Sequence, residues 1–216
     1  MTLEELTALE NEWPAKHPSR GFMEQRDAFL QRNGVYDAWR RIFAEYVALA
    51  RLGDLEALKR ALFLAWYEQA EPSPLSGLYL LDGTLKEEVF QMLEDLAARD
   101  GFDDELEWML PYYYMIADWY LMSGFDRVAS ASTRHVRLWQ KRCLGRSFDN
   151  RGQLGVYWAS IQEGQKRRRF WHALLGVESR VGRALLAARV AWQDRARGRR
   201  SRGRDGRGRS SWGAGG

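Results

Sequence analysis

Glu68 and Glu71 stand three residues apart in the run Trp66-Tyr67-Glu68-Gln69-Ala70-Glu71-Pro72. They share one face of any helix that persists that far. Paired carboxylates beside apolar rings are how one carboxyl stays protonated as a general acid while its neighbour ionises as a base. A second acidic, aromatic run follows, with Tyr112, Tyr113, Tyr114, Asp118 and Trp119. Glu68, Glu71 and Asp118 are therefore the candidate catalytic groups of a hydrolase-type pocket. Trp66, Tyr67, Tyr112, Tyr113 and Trp119 are the candidate binding surface. The competing reading is structural: tyrosine hydroxyls and indole N–H groups satisfy the carboxylates at a buried helix end. It is preferred, because two glutamates are a weak signal and structural networks perturb carboxylates in the same way.

Other chemistry is thinly represented. The sequence has no phosphate-binding G-x-x-x-x-G-K-[ST], no G-x-G-x-x-G after a strand, no H-E-x-x-H and no paired C-x-x-C. His135 and Cys143 could act as base and nucleophile. A surface histidine and a small buried thiol account for them more simply, since no third orienting residue is indicated. His17 lies in a proline loop and His172 on an expected helix. As the sole cysteine, Cys143 can form neither an intrachain disulfide nor a cysteine-based metal cluster. Neither cofactor nor metal is implied.

Basic residues form the other candidate site. Lys166, Arg167, Arg168 and Arg169 precede Phe170-Trp171, and an arginine-glycine tail follows with Arg199, Arg200, Arg202 and Arg204. Arginines neutralise phosphates, and neighbouring rings can stack on unpaired bases. A charge run is more often only a solvated face. The wider distribution is uneven: residues 1–133 hold 12 Lys/Arg and 24 Asp/Glu, whereas residues 134–216 hold 21 and 5. Either the halves neutralise each other in the fold, the favoured expectation, or the basic half meets an anionic partner.

The elements that must position these residues are helical. Residues 36–71 read as two helices joined by a turn. Tyr36, Trp39, Phe43, Tyr46, Val47 and Ala50 share a face of the first arm, and Leu55, Leu58, Leu62, Ala65 and Trp66 share a face of the second. Gly53 can close the first arm in a left-handed conformation, and Asp54 can cap the second. Thr2 with Glu5 fits a capping box before Leu3, Leu6 and Leu9. Residues 22–32 form a second short helix with Phe22, Phe29 and Leu30 expected inside. Residues 71–83 are expected to lay a short extended piece across the helices, with Leu78 to Leu81 buried. Thr84 with Glu87 suggests another capping box, opening a helix that ends near Gly101.

Residues 103–110 open a helix with three acidic residues, which Pro111 is expected to break or restart; the run from Pro111 to Met122 that follows is bulky all round and closed by Gly124. Asp126 opens a helix, and residues 135–138 alternate weakly like a strand. Residues 145–155 read as a loop, followed by separate short helices over 153–162 and 167–175 and a last one over 177–192. Residues 195–216 hold eight Arg, seven Gly and one Asp, a composition unable to build a core and expected to be disordered.

The whole is expected to be an all-α domain over residues 1–194, irregular and built on a central antiparallel helical hairpin, with a disordered basic tail over 195–216. The acidic start lacks a signal peptide's basic and apolar regions, and no apolar run is long enough to cross a membrane, which points to the cytoplasm. The function expected is a non-catalytic protein-interaction module, with another protein as partner. Nucleic-acid association through the basic region is the alternative, and the acidic-pocket enzyme comes third.

Overall fold

The computed structural model describes residues 1–12, 22–121, 124–134 and 142–175, without the side chains of 118–121, 134 and 168–175. The expectations for His17, for the weak alternation at His135 to Leu138, for residues 177–192 and for the tail lie outside this range. Among the described residues the structure is all helical, and it is built on the hairpin. Helix α3, Val35–Arg51, buries Tyr36, Trp39, Phe43, Tyr46, Val47 and Ala50 on one face. Gly53 turns the chain with φ +92°. Asp54 then accepts the amide hydrogen of Ala57 at 3.0 Å and opens α4, Leu55–Ala70.

Helix α4 departs from the single apolar face expected of it. Residues 57–66 are buried without interruption, Lys59 and Arg60 included. A helix buried all round is a central one, and α4 packs against α3, α6 and α7. Each large apolar side chain buried there stabilises the fold by about 1.5–3 kcal/mol.

The surrounding helices follow from their caps and stripes. Helix α1, Leu3–Glu12, has its capping box closed both ways, Thr2 N to Glu5 at 2.8 Å and Glu5 N to Thr2 Oγ1 at 3.2 Å, with Leu6 inside. Helix α2, Met23–Arg32, buries Leu30 but leaves Phe22 76 % exposed, because Phe22 sits at the N-cap, off the stripe. The connection after α4 is not simply extended. A one-turn helix α5, Ser73–Ser76, ends at Gly77, after which Leu78 and Leu81 are buried while Tyr79 and Leu80 face solvent. Leu80 takes φ +52°, a turn in the backbone that accompanies this division. Helix α6, Gly83–Ala98, is capped by Asp82, which accepts from Thr84 N at 2.8 Å and Leu85 N at 3.1 Å, instead of by the Thr84 and Glu87 box.

Helix α7, Leu106–Leu121, runs through Pro111, and the non-helical residue is Ala117 (φ −140°, ψ 58°). The proline removes one amide hydrogen bond, but Trp108, Met109, Leu110, Tyr112 and Tyr113 are all buried on either side of it and hold the turn. Helix α8, Asp126–Arg134, packs on α6 and α7. Helix α9, Gly152–Leu175, is continuous where two short helices were expected. Gly164 costs the helix about 1 kcal/mol relative to alanine, too little to end it. The chain divides into two units, Met1–Glu163 and Gly164–Gly216. Among the described residues the core lies in the first unit, and the described part of the second is the remainder of α9.

Candidate functional site

The last turn of α4 brings Glu68 inward rather than to an open pocket. Its carboxylate accepts from Lys86 Nζ at 2.8 Å, Leu81 N at 2.8 Å and Gln69 Nε2 at 3.2 Å. The donors are thus a lysine, a backbone amide and a side-chain amide, in place of the tyrosine and indole donors expected. The reason is α5: its turn brings the 78–81 segment and the start of α6 over the end of α4. Glu71 is the C-cap of α4, its own N–H donating to Tyr67 O at 3.0 Å. Burial, and then the Glu71 charge, raise the Tyr67 pKa. The Asp118 side chain lies outside the described residues, as does that of Trp119.

Trp66, Tyr112 and Tyr113 belong to the core rather than to a surface. Trp66 and Tyr113 are fully buried and stacked at 4.4 Å, and Trp66 Nε1 donates to Tyr113 O at 3.2 Å. The Tyr112 and Tyr157 hydroxyls are 2.6 Å apart, and Trp158 packs edge-on to Trp108 at 4.5 Å. Tyr67 is half-buried, stacked on Phe63 at 5.1 Å. Burial takes most of this set out of a partner's reach and gives it a packing role.

The polar constellation that sequence reasoning missed is at the opposite end of α4. Lys59 Nζ lies 2.6 Å from Glu105 and 2.8 Å from Asp103. Arg60 donates to Glu56 at 3.0 Å, Thr7 Oγ1 at 2.5 Å, Tyr46 OH at 3.2 Å and Asn150 O at 3.2 Å. Arg151, just before α9, bridges Glu56 (2.8 Å from Nε) and Glu105 (3.0 Å from Nη2). Burial alone would push the Glu105 carboxyl up, but Arg151 and Lys59 outweigh it and hold its pKa below the usual carboxylate range. The visible signal was the Glu56, Lys59, Arg60 spacing of three and four; its burial was not visible.

Glu10 completes the cluster from α1. It is 1 % exposed and accepts from Gln153 N at 3.2 Å at the start of α9. A Cβ on Gly152 would stand 1.3 Å from Glu10 Oε2, so this position has no room for a side chain. Burial drives the Glu10 pKa up to about 7, against the opposing pull of the Arg60 charge and the Gln153 amide. The arrangement ties α1, α3, α4, the 103–105 turn and the start of α9 together. Glu56, Asp103 and Glu105 are spent on Lys59, Arg60 and Arg151, which is the condition for burying charge without a prohibitive cost; Glu10 makes no such pair among the described residues.

The acidic and basic halves do begin to neutralise each other. Arg142 pairs with Asp104 at 3.2 Å and Glu107 at 2.9 Å, Arg146 pairs with Asp104, and Arg151 with Glu56 and Glu105. Lys166 and Arg167 are exposed on α9. The side chains of Arg168 and Arg169 are outside the described residues, as are Arg199, Arg200, Arg202 and Arg204. Cys143 is fully buried, and among the described residues no group of three or more His, Cys, Asp or Glu could hold a metal ion. No described helix is long and apolar enough to cross a membrane.

Among the described residues of the first unit, two clefts stand out. One, of about 550 Å³, lies beside the hairpin turn between Leu58 and Met92, with Arg51 and Arg99 at its edge. The other, of about 430 Å³, lies among α6, α7 and α8 over Leu106 and Leu110. Neither is lined by Glu68, Glu71 or the buried ion network. In comparisons with known proteins, the chain matches no family model, no curated protein and no solved structure.

Proposed function

We propose that this chain is a non-catalytic helical interaction module of the cytoplasm whose partner is a basic protein. The observation that carries the reading is the charge left over after internal pairing. Residues 82–107 hold ten carboxylates against Lys86 and Arg99. Glu88, Glu94, Asp103, Asp104, Glu105 and Glu107 each have a cationic partner. Glu87, Asp95 and Asp100 are exposed without an ion-pair partner among the described residues, and so is Asp126 on α8. A surface of this kind steers toward positive charge and rejects negative charge. The buried lone thiol of Cys143 suits a reducing compartment. For the enzyme reading, Glu68 offers little, since its carboxylate is committed to Lys86 and Leu81.

The test is a fluorescence-anisotropy titration of the full chain with a labelled Lys/Arg-rich peptide at two salt concentrations. Binding is expected at low salt, weakening as the Debye length shrinks from about 30 Å at 0.01 M to about 10 Å at 0.1 M. The variant with Glu87, Asp95 and Asp100 changed to their amides, together with Asp126→Asn, is expected to lose most of it. No binding, or binding indifferent to these four changes, overturns the reading.

A second reading, association with nucleic acid, is favoured by the exposed Lys166 and Arg167 and by the arginines that follow them in sequence. A single-stranded oligonucleotide titrated against the full chain and a chain ending at residue 194 tests it. Binding that falls steeply with salt and disappears with the tail supports it, since counterion release drives such binding. An intact chain that fails to bind at low salt removes it.

A further inference from the structure

We infer that the cleft among α6, α7 and α8 receives an amphipathic helical segment of a basic partner, with its apolar side chains in the cleft and its Lys or Arg residues on the rim. This rests on the reading of the chain as an acidic interaction module and gives that reading a place. Three observations converge on the cleft. Its floor is apolar: Leu106 and Leu110 are buried, and Phe102 is half-buried beside them. Small residues line it on two sides, Ala97 and Ala98 on α6 and Ser130 and Ala131 on α8, with Ala98 and Ser130 exposed. With a volume of about 430 Å³ it falls in the range of about 300–1,000 Å³ typical of ligand pockets.

The rim decides the chemistry of the occupant. Asp100 and Asp126 line the cleft, exposed and without an ion-pair partner among the described residues. Asp100 takes φ +52° just beyond α6, a conformation that aspartate tolerates better than most residues. Among the described residues the cation lining the cleft is Arg127, which donates its backbone N–H and, at 3.5 Å, a guanidinium N–H to Glu94. Glu107 is held by Arg142 at 2.9 Å. Among the described residues the unpaired charge on the rim is therefore negative, and an apolar floor under an acidic rim is complementary to a segment with the opposite pattern. Helical walls on both sides favour a helix as occupant, since side-chain ridges pack into the groove between neighbouring helices. Apolar anchors at i and i+4 would enter, as in helix-in-groove recognition generally.

The experiment uses the full chain and three labelled peptides of Lys and Leu: one with leucines at i, i+3, i+4 and i+7, one of the same composition with leucines scattered round the helix, and one of lysine alone. The amphipathic peptide is expected to bind at least tenfold more tightly than the other two. Ala98→Trp, which fills the cleft from an exposed position, is expected to weaken it at least tenfold without changing the melting temperature. Ser130→Trp, filling it from the opposite wall, is expected to do the same and stands in if Ala98→Trp does not fold. Unchanged affinity in a folded filled variant overturns the assignment of this cleft, while salt-dependent binding of the peptides would leave the broader acidic-surface reading intact. Equal binding of the patterned and scattered peptides overturns the helical anchor. Failure of every basic peptide to bind overturns the inference together with the reading beneath it.

Discussion

The two ends of α4 are buried to the same depth and held by opposite chemistry. At its C-terminal end Phe63 and Trp66 sit among Tyr113, Tyr157 and Trp158, where removing large rings from water supplies the stabilisation directly. At its N-terminal end Lys59 and Arg60 are 7 % and 3 % exposed, and burying them is unfavourable until Glu56, Asp103 and Glu105 are in place. The first kind of contact depends on volume and tolerates similar shapes. The second depends on every partner being present, because a lone buried charge is among the most costly features a fold can carry. One helix thus combines a forgiving end and an exacting one.

The largest effects should come from truncating one member of each end. Glu105→Ala removes a shared partner of Lys59 and Arg151 and is expected to destabilise by about 3–5 kcal/mol; Trp66→Ala is expected to cost about 3–5 kcal/mol through the cavity it leaves. Denaturant melts measure both. The contrast lies in replacement: Trp66→Phe should recover much of the loss, whereas Glu105→Gln should recover little. Full rescue by glutamine would mean that the N-terminal end of α4 is held by shape rather than by charge.

A somewhat smaller effect tests the ionic end from α1. The folded pKa of Glu10, about 7, lies above its ordinary value of 4.5, so this group's contribution to stability is full below about pH 4.5. It is lost as pH rises through about 7. The ionised carboxylate is thus a burden at pH 8, and Glu10→Gln should stabilise the protein there by about 2–3 kcal/mol. The variant should also remove the matching fall between pH 4.5 and 7. Melts at pH 5 and pH 8 read it directly, and an identical gain at both would show that burial of this carboxyl carries no pH dependence.

Glu68 is an ionic contact placed at the aromatic end, and it sharpens the comparison further. Glu68→Gln keeps an acceptor for Leu81 N but gives up the charge facing Lys86, so a loss of about 1.5–3 kcal/mol is expected. Glu71→Gln should stay within about 0.5 kcal/mol. A larger loss at Glu71 than at Glu68 in urea titrations would reverse the assignment. Between these two in size is a contact outside α4: Asp82→Ala removes the cap of α6 and should cost about 1 kcal/mol, measurable as a shift in denaturation midpoint at unchanged slope.

How much was legible follows from where each signal resides. The hairpin was readable because its evidence is local: the three-and-four spacing of Tyr36, Trp39, Phe43, Tyr46 and Val47, a glycine at 53 and an aspartate at 54. The Thr2 and Glu5 cap was readable for the same reason. The candidate site was readable only as residue types. Trp66, Tyr112 and Tyr113 read in sequence as a candidate binding surface and are buried, because an aromatic run has the same spelling in a core as on a surface. Glu68 was marked too, yet its partners Leu81 and Lys86 reached it through the α5 turn, which carries no apolar period.

By itself, then, the sequence determined the helical class, the hairpin and its turn, and the surplus of carboxylates over residues 82–107, because propensity, period, caps and charge are properties of neighbouring residues. Only the tertiary structure decided that Lys59 and Arg60 are interior, that Glu10 lies under the start of α9, and that Pro111 and Gly164 interrupt nothing. The pairs that settle these questions are 46 residues apart for Lys59 with Glu105, 95 for Arg151 with Glu56 and 143 for Gln153 with Glu10. No local pattern reports such partners, since a buried cation and a solvated one have the same sequence until the carboxylate that neutralises it has been brought alongside.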